Sequence, residues 1–500
     1  MSCAVIEPAN TTAPLAEQSE KDGWLGSIIV VLATLSIFAY TAVALLDTGR
    51  GKLLIASIGT MALSGLIYFA IRALAPSIIL PRIIVLSYTL QLFWLTLIVA
   101  LDLPTAPLYN DIAPDISEYP LLATLPSLII PIGTLCGTLL FRLFQPEQKV
   151  SPIYSSAIDA PPADLNWYLV FAALIQLLYW PATMESAELA GYLIRVLSQS
   201  FILVPFFAGR FANRLPWVRF SWIIVMSINA IIGLVVGARG VALIPLGLFI
   251  LGIISSLRGQ ARKRATLIVV VASIPIFLIS GVVGTMRDQI GRGGLELFSI
   301  ERATQVIESI PESLTSVPST NNAEIAIQGL GRMLIWTNIV IPVMSPSLVP
   351  YREFTGIEEE IKLSLQISNL AGLSRDDLYD AGLSSAPANS YGFTVNSGNS
   401  VEFGLLADGW SRGGPFIALL FGLVATLLLA TAEVLLRKLW EIMPAAAILL
   451  LAIAMKSAFE TSAVPLLGTV RALILNIGFF LAIALAIYLF RGNGEITKEE

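Results

Sequence analysis

Long apolar stretches recur along the chain, and short polar segments separate them. An α-helix of about 20 apolar residues is long enough to cross the ~30 Å hydrocarbon core of a bilayer. The pattern therefore predicts twelve membrane-spanning helices. They lie at residues 24–46, 53–71, 83–101, 121–141, 165–181, 192–208, 220–236, 241–256, 265–285, 415–436, 442–455 and 472–490. The eleventh is short for a span. The sequence shows no internal repeat of the kind that relates the two halves of many transporters.

Positively charged residues mark alternate loops between these helices. The loops at 102–120 and 182–191 contain no Lys or Arg but several Asp and Glu. Because cytoplasmic loops carry an excess of Lys and Arg, these two loops are predicted to face outwards and both termini the cytoplasm. Arg50 and Lys52, in the first outer loop, are the exception. The predicted inner loops carry Arg72, Arg82, Arg142, Lys149, Arg210, Arg214, Arg219, Arg258, Arg262, Lys263, Arg264, Arg437 and Lys438.

This orientation places a long polar segment, residues 286–414, on the outer face. Within it, 330–349 is apolar but interrupted by Pro342 and Pro346, which favours a re-entrant or interfacial segment. A pair of extra crossings is the alternative. The predicted fold is all-α, a polytopic membrane protein of about twelve transmembrane helices. Its parts are helices one to nine in 1–285, the outer loop 286–414, and helices ten to twelve with a cytoplasmic tail in 415–500.

Composition narrows the chemistry. The chain is 56% hydrophobic and 13% charged, well below the roughly 25% charged share of a soluble domain. It contains no histidine, which excludes His-based acid/base catalysis, His-activated nucleophiles and most transition-metal sites. No metal and no other cofactor is therefore expected. The GxxxxGK[ST] pattern of a phosphate-binding loop is absent, so neither a nucleotide nor a nucleic acid is expected as a partner.

Arginines collect at the predicted outer ends of the helices. Arg239 is the clearest case, because it lies in a four-residue turn, 237–240, between two spans. A charge at membrane depth is costly and is rarely kept without a function. Guanidinium groups bind diphosphate oxygens in bidentate fashion and stay charged at any cellular pH. Several of them together predict a lipid-linked diphosphate as the ligand. The candidates are Arg195, Arg239, Arg287, Arg292, Arg412 and Arg471.

Simpler interpretations exist for these residues. A loop arginine beside a membrane commonly extends its side chain to lipid headgroups, which is the main alternative for Arg471. For Arg287 the alternative is an ordinary salt bridge with Asp288. Two acids, Glu402 and Asp408, precede predicted helix ten and are candidate general bases. The alternative is that both are solvated loop acids.

Three features together resemble the Wzy-type oligosaccharide repeat-unit polymerases of bacteria. They are the hairpin GARGVALIPLGLFILG, the long outer loop, and EFGLLADGWSRGGPFIALLFGLVATLL leading back into the membrane. The Arg-x10-Gly pattern of some members is missing, since Arg412 and Gly422 are one residue too close. Arg239 and Leu243 satisfy the Arg-x3-Leu pattern of the related O-antigen ligases, but the outer-loop histidine of the ligases has no counterpart here.

The resemblance implies a glycosyltransferase of the bacterial cytoplasmic (inner) membrane. It would join undecaprenyl-diphosphate-linked oligosaccharide units into an O-antigen, capsule or exopolysaccharide at the outer face. The partners implied are that lipid-linked oligosaccharide, membrane lipid and a chain-length regulator protein. The predicted catalytic residues are Arg239, Arg412, Asp408 and Glu402, and the predicted substrate-binding residues are Arg195, Arg287, Arg292 and Arg471.

Two other functions stay open. One is ligation of a finished glycan to a different acceptor, and the other is transport or flipping of a lipid-linked sugar. Transporters usually bury ionisable residues near the bilayer midplane and use broken helices. The predicted spans here carry little charge at mid-depth, which favours an enzyme.

Overall fold

The structure is a computed structural model that describes residues 13–45, 49–101, 115–145, 165–184, 203–211, 216–236, 239–257, 259–268, 336–344, 404–463, 466–478, 480–482 and 485. These residues form α-helices, short 3-10 and π segments, turns and bends, and no strand occurs among them. Four of the described helices are long and apolar enough to cross a membrane: Gly49–Leu74, Leu80–Ala100, Pro120–Phe144 and Leu405–Ile442. The prediction of an all-α membrane protein is therefore confirmed for the described part of the chain.

Helices in the described residues are labelled in chain order. They are α1 (Ala13–Leu45), α2 (Gly49–Leu74), α3 (Leu80–Ala100), α4 (Pro120–Thr124), α5 (Ile129–Phe144), α6 (Leu165–Met184), α7 (Val204–Phe211), α8 (Pro216–Val236), α9 (Arg239–Ser256), α10 (Trp336–Met344), α11 (Leu405–Ile442), α12 (Pro444–Glu460) and α13 (Leu466–Arg471). The 3-10 turn Leu125–Leu128 joins α4 to α5, another 3-10 turn, Ile116–Glu118, precedes α4, and the π-helix Ala472–Ile477 continues α13.

Proline lies in the first turn of several described helices. Pro81 lies in the first turn of α3, and Pro444 lies in the first turn of α12. Proline is well tolerated there because first-turn N–H groups have no partner within the helix and the fixed φ of proline suits a helix. α12 runs Pro444–Glu460, so it starts later and ends later than the predicted span 442–455.

The most extensive described helix interface joins α5 and α11. Gly133 and Gly137 of α5 face Leu419 and Leu423 of α11, and Gly422 of α11 faces Ile130 of α5. Small residues four apart let two helix backbones approach closely, which replaces the hydrophobic driving force that is weak between helices in lipid. The backbones of α5 and α11 therefore lie close together along this interface.

Replacing Gly133 with alanine is expected to destabilise the protein by about 1–3 kcal/mol, the usual cost of overpacking. A Cβ at this position would lie 2.4 Å from the Leu419 carbonyl oxygen and 3.1 Å from the Leu423 nitrogen. Both are backbone atoms of α11, so neither can move without shifting the helix. The measurement is the midpoint of SDS-induced unfolding in mixed micelles. Gly247→Ala in α9 is the matched control, because a Cβ there meets nothing within 4 Å; equal midpoints for the two variants would contradict the prediction.

One end of the bundle is held together by a buried acid. Glu433 of α11 is fully buried, and its carboxylate accepts hydrogen bonds from Ile79 N at 2.8 and 2.9 Å and from Leu80 N at 2.9 Å. Arg437, one helical turn later, donates to Glu433 Oε1 at 2.9 Å and also to the carbonyl of Ser77. Glu433 thus caps the amino terminus of α3 from a distant part of the sequence.

Two further arginines bind the same α2–α3 connector. Arg82 donates through Nε to the Ile78 carbonyl at 2.8 Å and through Nη2 to the Pro76 carbonyl at 3.2 Å. Arg142 of α5 donates to the carbonyl of Leu74, the last residue of α2. The Leu74 carbonyl lies at the carboxyl terminus of α2, where positive charge is favourable, and the Pro76 and Ile78 carbonyls lie in the connector. We call this end, with its three arginines, the Arg437 end.

At the opposite end, the Arg412 end, α11 is broken. Its backbone leaves the helical conformation at Gly413 and at Gly414, whose φ of 70° and ψ of −158° are accessible only to glycine. The predicted tenth helix begins at Pro415, whereas the structure adds a separate helical segment at 405–412 before the break. A Cβ on Gly409 would lie 2.5 Å from Ala418 Cα, so this segment folds back against the start of the long helix.

The apolar segment predicted at 330–349 contains α10, which spans only Trp336–Met344 and has Pro342 inside it. Nine residues at 1.5 Å per residue give a helix of roughly 14 Å, about half the thickness of the hydrocarbon core. α10 packs against α4 and α11 at the Arg412 end, and Ile339, Val340 and Ile341 are buried. The rest of the segment predicted at 330–349 lies outside the described residues.

Candidate functional site

The 405–412 segment begins with its backbone donors satisfied by three other parts of the chain. Leu405 N donates to the Thr461 carbonyl at 2.9 Å, and Leu406 N donates to the Tyr88 hydroxyl at 3.3 Å. Ala407 N donates to Asn338 Oδ1 at 3.1 Å. The first N–H groups of a helix have no partner within it and often bind an anion. Here protein groups occupy them, so this helix terminus is not an anion site.

Asn338 is the centre of this buried network. Its Nδ2 donates to the Ser462 carbonyl at 2.6 Å and to Gln91 Oε1 at 3.3 Å, and its Oδ1 accepts from Ala407 N. Gln91 Nε2 donates in turn to the Ser462 carbonyl at 3.3 Å, and the Tyr88 hydroxyl donates to the Thr461 carbonyl at 3.2 Å. The side chains of Asn338, Gln91 and Tyr88 therefore join α3, α10, the start of α11 and the turn after α12.

Glycine is required where this network meets the chain before α11. A Cβ on Gly404 would lie 2.0 Å from the Ser462 carbonyl oxygen and 2.7 Å from Asn338 Nδ2. Any larger residue would push the 405–412 segment away from its partners. The close approach of these backbones is what buries the first turn of the segment.

An ion pair lies in the same segment. Arg412 Nε donates to Asp408 Oδ1 at 2.8 Å, and the two side chains are only 9% and 10% exposed. The second carboxylate oxygen, Oδ2, accepts from the backbone N of Leu466 at 3.3 Å. Leu466 is the first residue of α13, so the Asp408 carboxylate connects α13 to the broken helix. Buried charges are kept when they are paired and hydrogen-bonded, as these are.

The burial of Asp408 corrects one interpretation of the sequence. The alternative of a solvated loop acid is wrong for Asp408, which is 7% exposed and lies within a helix. The two carboxylate oxygens of Asp408 accept from Arg412 Nε and from Leu466 N. Its geometry suits orientation of the Arg412 guanidinium better than general-base chemistry.

The other predicted site residues are described only in part. Arg239 is the first residue of α9. Arg471 is the last residue of α13, which begins at Leu466 beside Asp408. The structure describes the backbone of both arginines but not their side chains. Arg195, Arg287, Arg292 and Glu402 lie outside the described residues altogether. Of the eight predicted residues, the structure brings Asp408 and Arg412 together and attaches the helix of Arg471 to them. Within the described part of the chain, no three His, Cys, Asp or Glu residues are grouped closely enough to hold a metal ion.

Sequence reasoning missed buried polar residues at both ends of the bundle: three that build the site around Arg412, and Glu433, which caps α3 at the Arg437 end. Tyr88 and Gln91 lie in a predicted apolar span, Asn338 lies in an apolar stretch, and Glu433 lies within the predicted tenth span. All four are buried. A polar residue inside an otherwise apolar span was the available signal, because such a residue is retained only where it has a partner.

No protein-family model matches this chain, and neither a curated protein nor a solved structure matches it. The chemistry of the site is therefore judged from its own residues.

Proposed function

We propose that this protein is a glycosyltransferase of the bacterial cytoplasmic membrane that polymerises undecaprenyl-diphosphate-linked oligosaccharide repeat units at the outer membrane face. The observation that carries the proposal is the buried, oriented Arg412 at one end of the bundle. It lies on a broken helix and is held by Asp408 through a 2.8 Å ion pair. A fixed guanidinium at the membrane boundary is suited to a lipid-linked diphosphate.

Charge distribution supports the orientation in this proposal. Arg82, Arg142 and Arg437 all lie at the Arg437 end, where they bind the α2–α3 connector. By the positive-inside rule this end faces the cytoplasm, and the Arg412 end faces outwards. The full proposal includes twelve spans, cytoplasmic termini and residues 286–414 as the outer segment, with α10 as its membrane-embedded anchor.

The proposed reaction is a single displacement at the anomeric carbon of the donor sugar. A hydroxyl oxygen of the acceptor unit forms the new C–O bond, the bond to the diphosphate breaks, and its electron pair leaves on undecaprenyl diphosphate. The hydroxyl proton passes to a base. Charge that accumulates on the leaving diphosphate is the main barrier, and a preorganised guanidinium lowers it without reorganisation cost. Neither a nucleotide sugar nor a metal enters this scheme.

Residue roles follow from the geometry and from the resemblance. Arg412, with Arg239, stabilises the leaving diphosphate, and Asp408 orients Arg412. Glu402, three residues before the start of the 405–412 segment, then becomes the candidate base. Arg195, Arg287, Arg292 and Arg471 bind the donor and acceptor diphosphates at the same face.

Transport of a lipid-linked sugar is the second candidate, and one observation favours it. α11 is interrupted at Gly413 and Gly414 beside a buried ion pair, and discontinuous helices with ionisable residues are typical of transporter binding sites. Both residues of the pair lie within the first eight residues of α11, not at its middle. An end position suits chemistry at the membrane boundary.

Purified protein and a defined lipid-linked repeat unit in detergent separate these candidates. A polymerase converts the unit into longer lipid-linked glycans and releases one undecaprenyl diphosphate for each bond formed. A transporter forms no glycosidic bond in detergent but moves the labelled unit across a liposome membrane. A ligase forms product only when a second acceptor is added. Unchanged repeat unit under all detergent conditions would reject the enzyme.

Single cysteines should show which end of the bundle faces outwards. In a variant lacking Cys3 and Cys136, a cysteine at exposed Glu118 is expected to react with a membrane-impermeant maleimide in intact cells. A cysteine at exposed Lys438 is expected to react only after the cells are lysed. Glu118 lies at the Arg412 end, and Lys438, one residue after Arg437, lies at the Arg437 end. Labelling of Lys438→Cys alone in intact cells would reverse the orientation and remove the proposed mechanism.

A further inference from the structure

Arg412 lies on a short helix whose first three N–H groups are hydrogen-bonded to other parts of the chain. The 405–412 segment has eight residues, too few for an isolated helix to be stable, and the Gly413–Gly414 break separates it from the rest of α11. Its position therefore depends on tertiary contacts. Leu405, Leu406 and Ala407 are fully buried, so water cannot replace a lost partner of their N–H groups.

Asn338 caps the 405–412 segment from a different part of the chain than the other two caps do. The caps of Leu405 and Leu406 come from Thr461 and from Tyr88 of α3, both in the main bundle. The cap of Ala407 comes from α10, the described helix of the long segment between predicted helices nine and ten. Asn338 therefore couples α10 directly to the 405–412 segment, which carries Arg412.

We infer that Asn338 is a positioning residue for Arg412, held in place by Ser462 and Gln91 and acting through the Ala407 amide. This inference rests on the proposed function for its catalytic consequence. The Asn338 amide donates to the Ser462 carbonyl at 2.6 Å while accepting from Ala407 N at 3.1 Å. It thereby fixes the distance between the turn after α12 and the 405–412 segment. Asp408 Oδ2 makes a second link on the same side, to Leu466 after that turn.

The first test measures movement of the segment without relying on enzymatic activity. Ser411 is 2% exposed, so a cysteine there, in a variant lacking Cys3 and Cys136, should react slowly with a soluble maleimide. Asn338→Ala is expected to raise the labelling rate about tenfold, which corresponds to ~1.4 kcal/mol in the opening equilibrium and lies within the cost of an unpaired buried donor. Tyr88→Phe removes only a hydroxyl and is expected to act in the same direction.

A matched control separates positioning from general loosening of the bundle. Ser457 of α12 is buried like Asn338, but its hydroxyl donates to the Ile453 carbonyl within its own helix at 3.1 Å. Ser457→Ala should leave labelling of Ser411→Cys unchanged. If Asn338→Ala protein is not recovered from membranes, Asn338→Asp takes its place, because it keeps an acceptor for Ala407 N but loses the donors to Ser462 and Gln91. Unchanged labelling in the recovered cap variants would overturn the inference.

The second test asks whether Asn338 acts through Arg412. In the polymerisation assay, Asn338→Ala is expected to lower kcat about tenfold with KM nearly unchanged, because an interaction made in the transition state is weakened. Added to Arg412→Lys, the same substitution should cause little further loss. A full additional tenfold loss in that background would mean that Asn338 has a general structural role. If wild-type protein forms no polymer, the proposed function fails, and the labelling experiment alone decides whether Asn338 positions the segment.

Discussion

Replacing Arg412 with lysine is expected to lower polymerisation turnover about 10²–10³-fold, the loss seen when one preorganised oxyanion donor is removed. Lysine keeps the positive charge and can still neutralise Asp408, so the protein should fold. An ammonium group cannot reproduce the planar fork with which a guanidinium binds a carboxylate or a diphosphate. The measurement is the initial rate of glycan bond formation on a defined undecaprenyl-diphosphate-linked repeat unit.

Arg264→Lys is the matched control for this prediction. Arg264 is exposed, lies in the described helical residues 259–268 and belongs to a predicted cytoplasmic loop. The same chemical change there should leave turnover near that of the wild type. A rate for Arg412→Lys within about twofold of the control, at equal protein levels, would make Arg412 a structural partner of Asp408 and remove it from the catalytic proposal; single-donor losses are normally far larger.

Replacing Glu433 with alanine is expected to lower the free energy of unfolding by about 3–5 kcal/mol, the range for breaking a buried ion pair by removal of one partner. Glu433 is fully buried and accepts from Ile79 N, Leu80 N and Arg437 Nη2. Its loss leaves the N–H of half-buried Ile79, the N-cap residue of α3, and the N–H of buried Leu80 without their acceptor. SDS-induced unfolding in mixed micelles measures the change.

Glu441→Ala provides the control for Glu433, because Glu441 lies on the same helix and is exposed. Its substitution should change stability by no more than about 0.5 kcal/mol, as for most surface changes. The double variant Glu433→Ala/Arg437→Ala should be less destabilised than the two single losses added together, since the pair interacts directly. Equal stabilities for Glu433→Ala and Glu441→Ala would show that the cap contributes nothing measurable.

The apolar pattern predicted the main helices well because membrane insertion depends on segment hydrophobicity. Predicted spans at 53–71, 83–101 and 121–141 coincide closely with α2, α3 and the α4–α5 rod. The pattern could not predict the 405–412 segment, which contains Asp408, Gly409 and Arg412 in only eight residues. It is helical because the turn after α12 and two side chains, Tyr88 and Asn338, satisfy its first turn.

The arginine candidates were found from charge at helix ends, a property visible residue by residue. The hydrogen-bond and ion-pair partners of these residues could not be read from the sequence in the same way. Asp408 and Arg412 are four residues apart, so their pairing follows from helical geometry once the segment is known to be a helix. The contact of Asp408 with Leu466 N and the cap of Leu80 by Glu433, 353 residues away, depend on how separate helices meet.

By itself, the sequence determined the class of protein and the sites of its charges. A helix that lies in lipid must satisfy its own backbone and present apolar side chains, so each span is specified locally. Only the tertiary structure decided that Asp408 is buried beside Arg412, that α11 breaks at Gly414 and that Asn338 holds the broken piece. These features arise where segments far apart in the chain exchange hydrogen bonds in a water-poor interior, and local hydrophobicity carries no information about which segments meet there.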